Sequence, residues 1–465
     1  MKNPQPLAIY LLVPLLVAGS LPAAAQEPTP TSVTESVPSQ ERKPLSLKEA
    51  VELTTSSHPM VRAAAATLEG YKNRASASDW LWLPKLSLKG FGSATPEKFG
   101  TPDQGGTNYD VWGPILTMEF SAILPVYTFG KLQAIKEMAH AGVEVGEAQK
   151  SIVRGQLELV VARAYLGIQL AATLDQIITE GEQYIVRARE YLEELRDQDS
   201  REYDDVDMLR LKVVEADIAG RRLELDRGKE MGIESLIQLT GQNRDRVSDL
   251  PKLKRFSIPE KEIHHYLHLA ALNRPEMKVL AAAVKVQSGR VELEKARFYP
   301  DIFVGFFYTI AKSWVIDDQG SPFAYDPYNT WGAGGGIGFE WRFDYAERVG
   351  SLDEQRANLR SLQFQGTALL QKVELEVRDA YTSMNQQREA IRLHEIAFKA
   401  AKGWTIAKLD LYENGFAELR DFTDALKEFF TRKLSLEMAV MEYNLAAVRL
   451  AVSCGVSLDV VTEVE

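Results

Sequence analysis

Apolar residues recur in steps of three and four from Lys131 to about Arg196: Val153, Leu157, Val160, Ala164, Ile168, Ala171, Leu174, Ile178, Ile185, Ala188, Leu192 and Leu195. No proline interrupts the run. The spacing predicts one helix with a coiled-coil period, far longer than a globular core requires. At 1.5 Å per residue, about 65 residues make a rod of about 100 Å. A second rod is predicted over 347–411, through Leu359, Leu362, Leu369, Val373, Val377, Tyr381, Met384, Ile391 and Phe398. Four shorter helices are expected near Leu47–Trp82, Asp205–Thr240, Ile263–Phe298 and Phe422–Cys454, each about 50 Å long. Two of these end to end match one rod. The simplest arrangement stacks Asp205–Thr240 under Ile263–Phe298, and Phe422–Cys454 under Leu47–Trp82.

Between the helices the period changes to two. Leu116, Met118, Phe120, Ala122 and Leu124 alternate with Thr117, Glu119 and Ser121, and Ile302, Val304, Phe306, Tyr308 and Ile310 alternate with Asp301, Gly305 and Thr309. Ile337, Phe339, Trp341 and Phe343 alternate with Gly336, Gly338, Glu340, Arg342 and Asp344, and a weaker alternation covers 85–92. These predict strands at about 85–92, 115–126, 301–310 and 331–344, each with one greasy face, as in an outer-membrane barrel. A sheet packed on a soluble core is the alternative source of the same alternation. Trp80, Trp82 and Trp341 at one end, with Trp112, Trp314 and Trp331 at the other, are placed as interfacial girdles. Core packing is the competing role for these indoles. Four strands do not close a barrel, and lipid forbids an open edge, so several chains must share one. Twelve strands leave an aqueous lumen where eight would be filled by side chains, which favours a trimer.

The chain also repeats itself. Pro59 and Pro84 return as Pro275 and Pro300, both pairs 216 residues apart. The domain expectation follows: signal peptide 1–25, disordered linker 26–44, first repeat 45–241, equatorial linker 242–260, second repeat 261–458 and tail 459–465. Each repeat reads helix, two strands, long helix, helix, closed by Gly241 or Gly455 where a C-terminal cap is wanted. The signal peptide rests on Lys2, the apolar Leu7–Leu21 stretch and Ala23-Ala24-Ala25 before Gln26.

Composition narrows the partners. A net charge of −11 over 465 residues argues against nucleic acid. The mature chain is expected to hold no spanning helix, and its single cysteine, Cys454, has no disulfide partner within the chain. His264, His265 and His268 include an i, i+4 pair but no completing ligand, so no metal is expected there. The glycine run 332–338 precedes strand residues and is no phosphate loop. Glycines there are expected to relieve crowding in a curved strand. No nucleophile has a base and an orienting partner, so neither an enzyme nor a cofactor is expected.

Several phrases resemble the TolC-type outer membrane efflux protein family: Leu45-Ser46-Leu47-Lys48-Glu49-Ala50, Ala296-Arg297-Phe298-Tyr299-Pro300-Asp301, Leu124-Pro125-Val126-Tyr127-Thr128-Phe129-Gly130, and the tip phrase Leu411-Tyr412-Glu413-Asn414-Gly415. The resemblance spans about 45–458. It implies a mainly α chain with a membrane β-barrel: a homotrimeric, twelve-stranded barrel in outer-membrane lipid, four strands per chain, continued by a periplasmic helical coiled-coil tunnel. It further implies a periplasmic adaptor and an inner-membrane pump as partners, and cargo that passes unchanged. Asp421 and Asp424 match the family's constriction acids after the tip glycine, Gly415, and would favour cations. Helix capping by Asp421 and plain solvation of Asp424 are the alternative roles. Tyr412 matches a latch tyrosine, and Asp205, with Asp204 beside it, falls at the first repeat's gating position. Two departures stand out: Asp199 replaces the first tip glycine, and Ala417 stands where an arginine is expected, with Arg420 as the nearby substitute. The competing function is a secreted coiled-coil spacer or adhesin without a pore.

Overall fold

A computed structural model describes residues 44–100, 105–198, 203–318, 323, 325–413 and 416–458. The expected signal peptide, all of the N-terminal linker but Pro44, and the C-terminal tail lie outside the described residues. Helix α1 (Leu47–Ser57) and α2 (Pro59–Asp79) lead into strands β1 (Lys85–Phe99) and β2 (Gly106–Tyr127). The long α3 (Lys131–Asp197), α4 (Asp205–Thr240) and a short α5 (Arg244–Ser248) follow. The second repeat runs α6 (Ile263–Asn273), α7 (Pro275–Ala296), β3 (Asp301–Ser313), β4 (Thr330–Glu340), α8 (Tyr345–Glu413) and α9 (Leu419–Cys454).

Two helices predicted as single rods of about 35 residues are each broken once. His58 and Arg274 precede prolines, and a pre-proline residue is pushed out of the helical region. Their ψ angles of 138° and 119° are extended. Each proline then starts the next helix at its first position, where the missing N–H costs nothing.

The end-to-end stacking also differs from expectation: α4 ends against α1, and α9 against α6, so each returning helix stacks within its own repeat. Helix length alone does not choose between the two partners; the side chains at the joints do. Arg246, just past α4, bonds Glu49 of α1 at 2.8 Å. Arg274 donates to the Ser453 carbonyl at 2.7 Å, and Cys454 Sγ lies 3.6 Å from the Tyr266 carbonyl. Burial pushes the Cys454 thiol up to about 11, which keeps it a small apolar residue. Gly241 and Gly455 close α4 and α9 with φ of 67° and 70°, a conformation glycine adopts at no steric cost.

Residues 242–260 cross the joints as mostly irregular chain, so their backbone needs side-chain partners. Fully buried Asn444 accepts from the Phe256 N–H and donates to the Lys254 carbonyl, while Gln169 donates to the Pro251 carbonyl. One stretch of α3 is long and apolar enough to cross a membrane, against the expectation of none. Part of it faces the core: Val161, Leu166, Ile168 and Ala171 are buried among the helices around them, while Val160 is exposed.

The strands form one antiparallel sheet, β1-β2-β3-β4. β1 and β2 are longer than predicted because their outer ends continue past the membrane-like alternation into a hairpin of mixed polarity. A register break between Pro96 and Glu97 sits there. The hairpin is tied to the β3–β4 loop by Lys98 Nζ to Tyr328 Oη at 2.6 Å. β4 stops at Glu340, short of the predicted Asp344. Its partner β3 begins opposite at Asp301, so nothing remains for 341–344 to pair with. Pro125 interrupts β2 at a bulge, where a missing N–H is tolerated.

Candidate functional site: a two-faced sheet and an acidic helical tip

Cross-strand register sorts the sheet into two faces. One aligned row holds Leu88, Phe120, Tyr308 and Ala333, and the next Leu86, Ala122, Phe306 and Gly335. Leu116, Met118, Val304, Ile310, Trp331, Ile337 and Phe339 share this face, and much of it is bare: Ile337 is 82% and Phe339 73% exposed. The opposite face holds the row Lys89, Glu119, Thr309 and Gly332, then Ser87, Ser121, Phe307 and Gly334. A soluble core would cover the apolar face, and no described element does. Strands of about ten residues, tilted about 40°, make an apolar band about 25 Å tall. Trp80, Trp82 and Trp341 lie at the helical end of the sheet, with the Trp341 indole N–H donating to the Phe298 carbonyl. Trp112, Trp314 and Trp331 lie toward the other end, all exposed.

The step from sheet to rod is built by two phrases that the sequence shows far apart. Phe129 (φ 50°) and Gly130 (φ 90°) take consecutive left-handed conformations that turn β2 into α3. Phe129 stacks on Tyr299 at 5.1 Å. Lys131, the next residue, reaches the Tyr299 carbonyl at 3.0 Å and the Asp301 carboxylate at 2.8 Å. No local period announces this joint, because it links positions 170 apart.

At the far end of the helices the acids separate by role. Asp204 is the N-cap of α4, its carboxylate accepting from the Val206 N–H at 2.8 Å. Asp205 accepts from the Tyr203 hydroxyl at 3.0 Å. Asp207 lies beside Arg210; burial, the largest influence, raises its carboxyl, and the nearby Asp204 and Glu418 add to that. Tyr412 stacks on Phe422 at 6.3 Å and meets the edge of Tyr191 at 5.5 Å. It thereby joins the ends of α3, α8 and α9 over Leu192, Leu211 and Leu419. Gly415, the expected tip turn, and Asp199 lie outside the described residues.

Asp421 and Asp424, three apart on α9, make different contacts. Asp421 is turned toward α8, 2.6 Å from Lys408 Nζ. Asp424 lies on the other flank of α9, 3.9 Å from Arg420, in a groove of about 1110 Å³ between α3, α4 and α9 that also holds Arg210 and Phe430. A three-residue step turns about 60° backward around the helix, enough to send the two carboxylates to different neighbours. Arg420 is therefore engaged by Asp424, and Lys408 is a residue that periodicity and motif both missed. Its partner lies across the turn, 13 positions on.

Among the described residues no three His, Cys, Asp or Glu side chains converge as a metal site. The three collar histidines are exposed on α6. Residues 266–456 match the family model for outer membrane efflux proteins. Three solved structures share the fold: the outer-membrane channel OprN, 18% identical, covering 89% of this chain and 90% of its own, TM-score 0.72; the outer membrane protein VceC of Vibrio cholerae, 19% identical, covering 89% and 96%, TM-score 0.72; and the outer membrane channel CmeC of Campylobacter jejuni, 16% identical, covering 88% and 85%, TM-score 0.71. No curated protein matches the chain.

Proposed function

Since the chain carries an outer membrane efflux protein domain within the fold of solved outer-membrane channels, we propose that it is the passive exit duct of a tripartite efflux or type I secretion machine. Three copies join sheets edge to edge into a twelve-stranded barrel in the outer membrane, and their rods extend the lumen through the periplasm. A periplasmic adaptor and an inner-membrane pump engage the helical end, and cargo passes through without being transformed.

The observation that carries this reading is the sheet. Its outer strands, β1 and β4, run antiparallel to each other, and apart from the Lys98–Ile316 bridge at the far end of β1 their outer edges pair with no strand among the described residues. One face is apolar and bare; the other mixes Lys89, Glu119, Ser121 and Thr309 with Phe303 and Phe307. In lipid such a sheet is viable only when closed, and a spacer or adhesin has no use for it. Asp421 and Asp424 are proposed to line the passage at the tip, with Tyr412 and its aromatic neighbours holding the tip shut. Asp205 and Asp204 are proposed to support that closure from the first hairpin, and the tryptophans at the two ends of the sheet to mark the lipid interfaces.

Single-channel recording in a planar lipid bilayer tests the proposal. Discrete, long-lived conductance steps from purified protein are expected, with cation preference weakened by Asp421→Asn together with Asp424→Asn. A flat baseline from protein that has inserted would contradict the duct.

A further inference from the structure

We propose that Lys408 sets the charge of the tip passage by holding Asp421 as a close neutral pair, leaving Asp424, whose Arg420 contact is longer and more exposed, as the less compensated of the two carboxylates. This rests on the reading of α9's first turns as the lining of that passage.

Register dictates the pair. Thr405, buried between α8 and α9, donates to the Ala401 and Ala425 carbonyls at 2.9 Å and fixes how the two helices are aligned. One turn nearer the tip, that alignment brings Lys408 of α8 opposite Asp421 of α9, Nζ to Oδ2 at 2.6 Å. The lysine side chain is 28% exposed and the aspartate 46%, so the pair is partly withdrawn from water and anchored on both sides by packed helix. The second pair differs in kind. Arg420 and Asp424 sit four apart on one helix at 3.9 Å, 65% and 63% exposed. Pairs of that type are flexible and contribute little to stability, and the longer, more mobile contact offsets the Asp424 charge less completely than Lys408 offsets that of Asp421.

The consequence is electrostatic. A lone carboxylate acts on a passing ion as a charge, and its influence extends over about a Debye length, roughly 8–10 Å in physiological salt. A carboxylate with an ammonium 2.6 Å away acts as a short dipole, whose field fades much faster with distance. Counting the acids at this tip from the sequence therefore overstates the negative charge that cargo meets. Lys408, which no spacing within either helix singles out, makes the difference.

Bilayer recordings of reversal potential under a salt gradient test this, with four versions of the full chain. Lys408→Gln is expected to raise the cation-over-anion permeability ratio severalfold. Asp421→Asn, which frees the lysine, lowers the ratio, and the double variant returns it to the parent's. Lys408→Arg preserves the parent ratio, because charge and reach are kept. Conducting Lys408→Gln channels with an unchanged ratio would overturn the assignment. Should that variant fail to insert, an unchanged ratio in Asp421→Asn would overturn it equally. An absence of conductance from the parent protein is a different result and counts against the duct itself.

Discussion

Gly334 and Gly338 lie where the rings of Phe307 and Phe303 cross β4; a Cβ added there would stand 2.5 Å and 2.7 Å from ring carbons. Gly332 and Gly336, on the same face, would meet nothing within 4 Å. Gly334→Val and Gly338→Val are therefore expected to displace those rings and destabilise the sheet relative to Gly332→Val, which has open space; urea unfolding in lipid vesicles checks the order. The glycine run was legible in the sequence, and a need for space was inferred from it. Which rings fill that space was not, since strand register brings Phe303 and Phe307 to β4 from another strand. Glu437 on α9 carries a second residue-scale prediction. Burial, the larger influence, lifts its carboxyl above the usual 4.5, with Lys433 opposing. The folded chain holds this proton more tightly than the unfolded chain does. The stability so gained is complete below pH 4.5 and is lost as pH rises through the raised value. Glu437→Gln should thus raise the heat-dissociation temperature at neutral pH and give no gain in acid below the usual carboxylate range.

Helices meet end to end at joints that a few side chains specify. At the α6–α7 break, Arg274 is 11% exposed and binds Glu276, Glu376 and the Ser453 carbonyl together. Arg274→Met keeps the stem and strands those partners, with an expected loss of about 2 kcal/mol, tempered because both glutamates keep contact with water. Gly455 is the counterpart on α9. A Cβ there would lie 2.8 Å from the Asn273 backbone at a φ of 70°, so Gly455→Ala should also lower the heat-dissociation temperature. A parent-like temperature for both variants, measured by helical circular dichroism in detergent, would remove these joints from the account. Element type and the length of the two long rods were readable from period. The two breaks were not assigned, although Pro59 and Pro275 stood in view, because the apolar pattern continues across them. The stacking partners were misassigned because only contacts such as Arg246 to Glu49 distinguish two equally long candidates.

At the scale of the molecule, two features coincide: outer edges of β1 and β4 that, within the apolar band, pair with no strand among the described residues, and an apolar sheet face that no described element covers. Two-residue alternation revealed the apolar face before any coordinates, and the strand count revealed that one chain cannot close it. The tip was less legible. The family resemblance implies acids at the constriction; the partners that Asp421 and Asp424 take within one chain, Lys408 and Arg420, could not be read from it. Native mass spectrometry of the detergent-extracted protein tests most directly whether closure is achieved by assembly. A single species holding three chains is predicted, with no free chain. A lone chain that stays in solution without detergent would contradict the account.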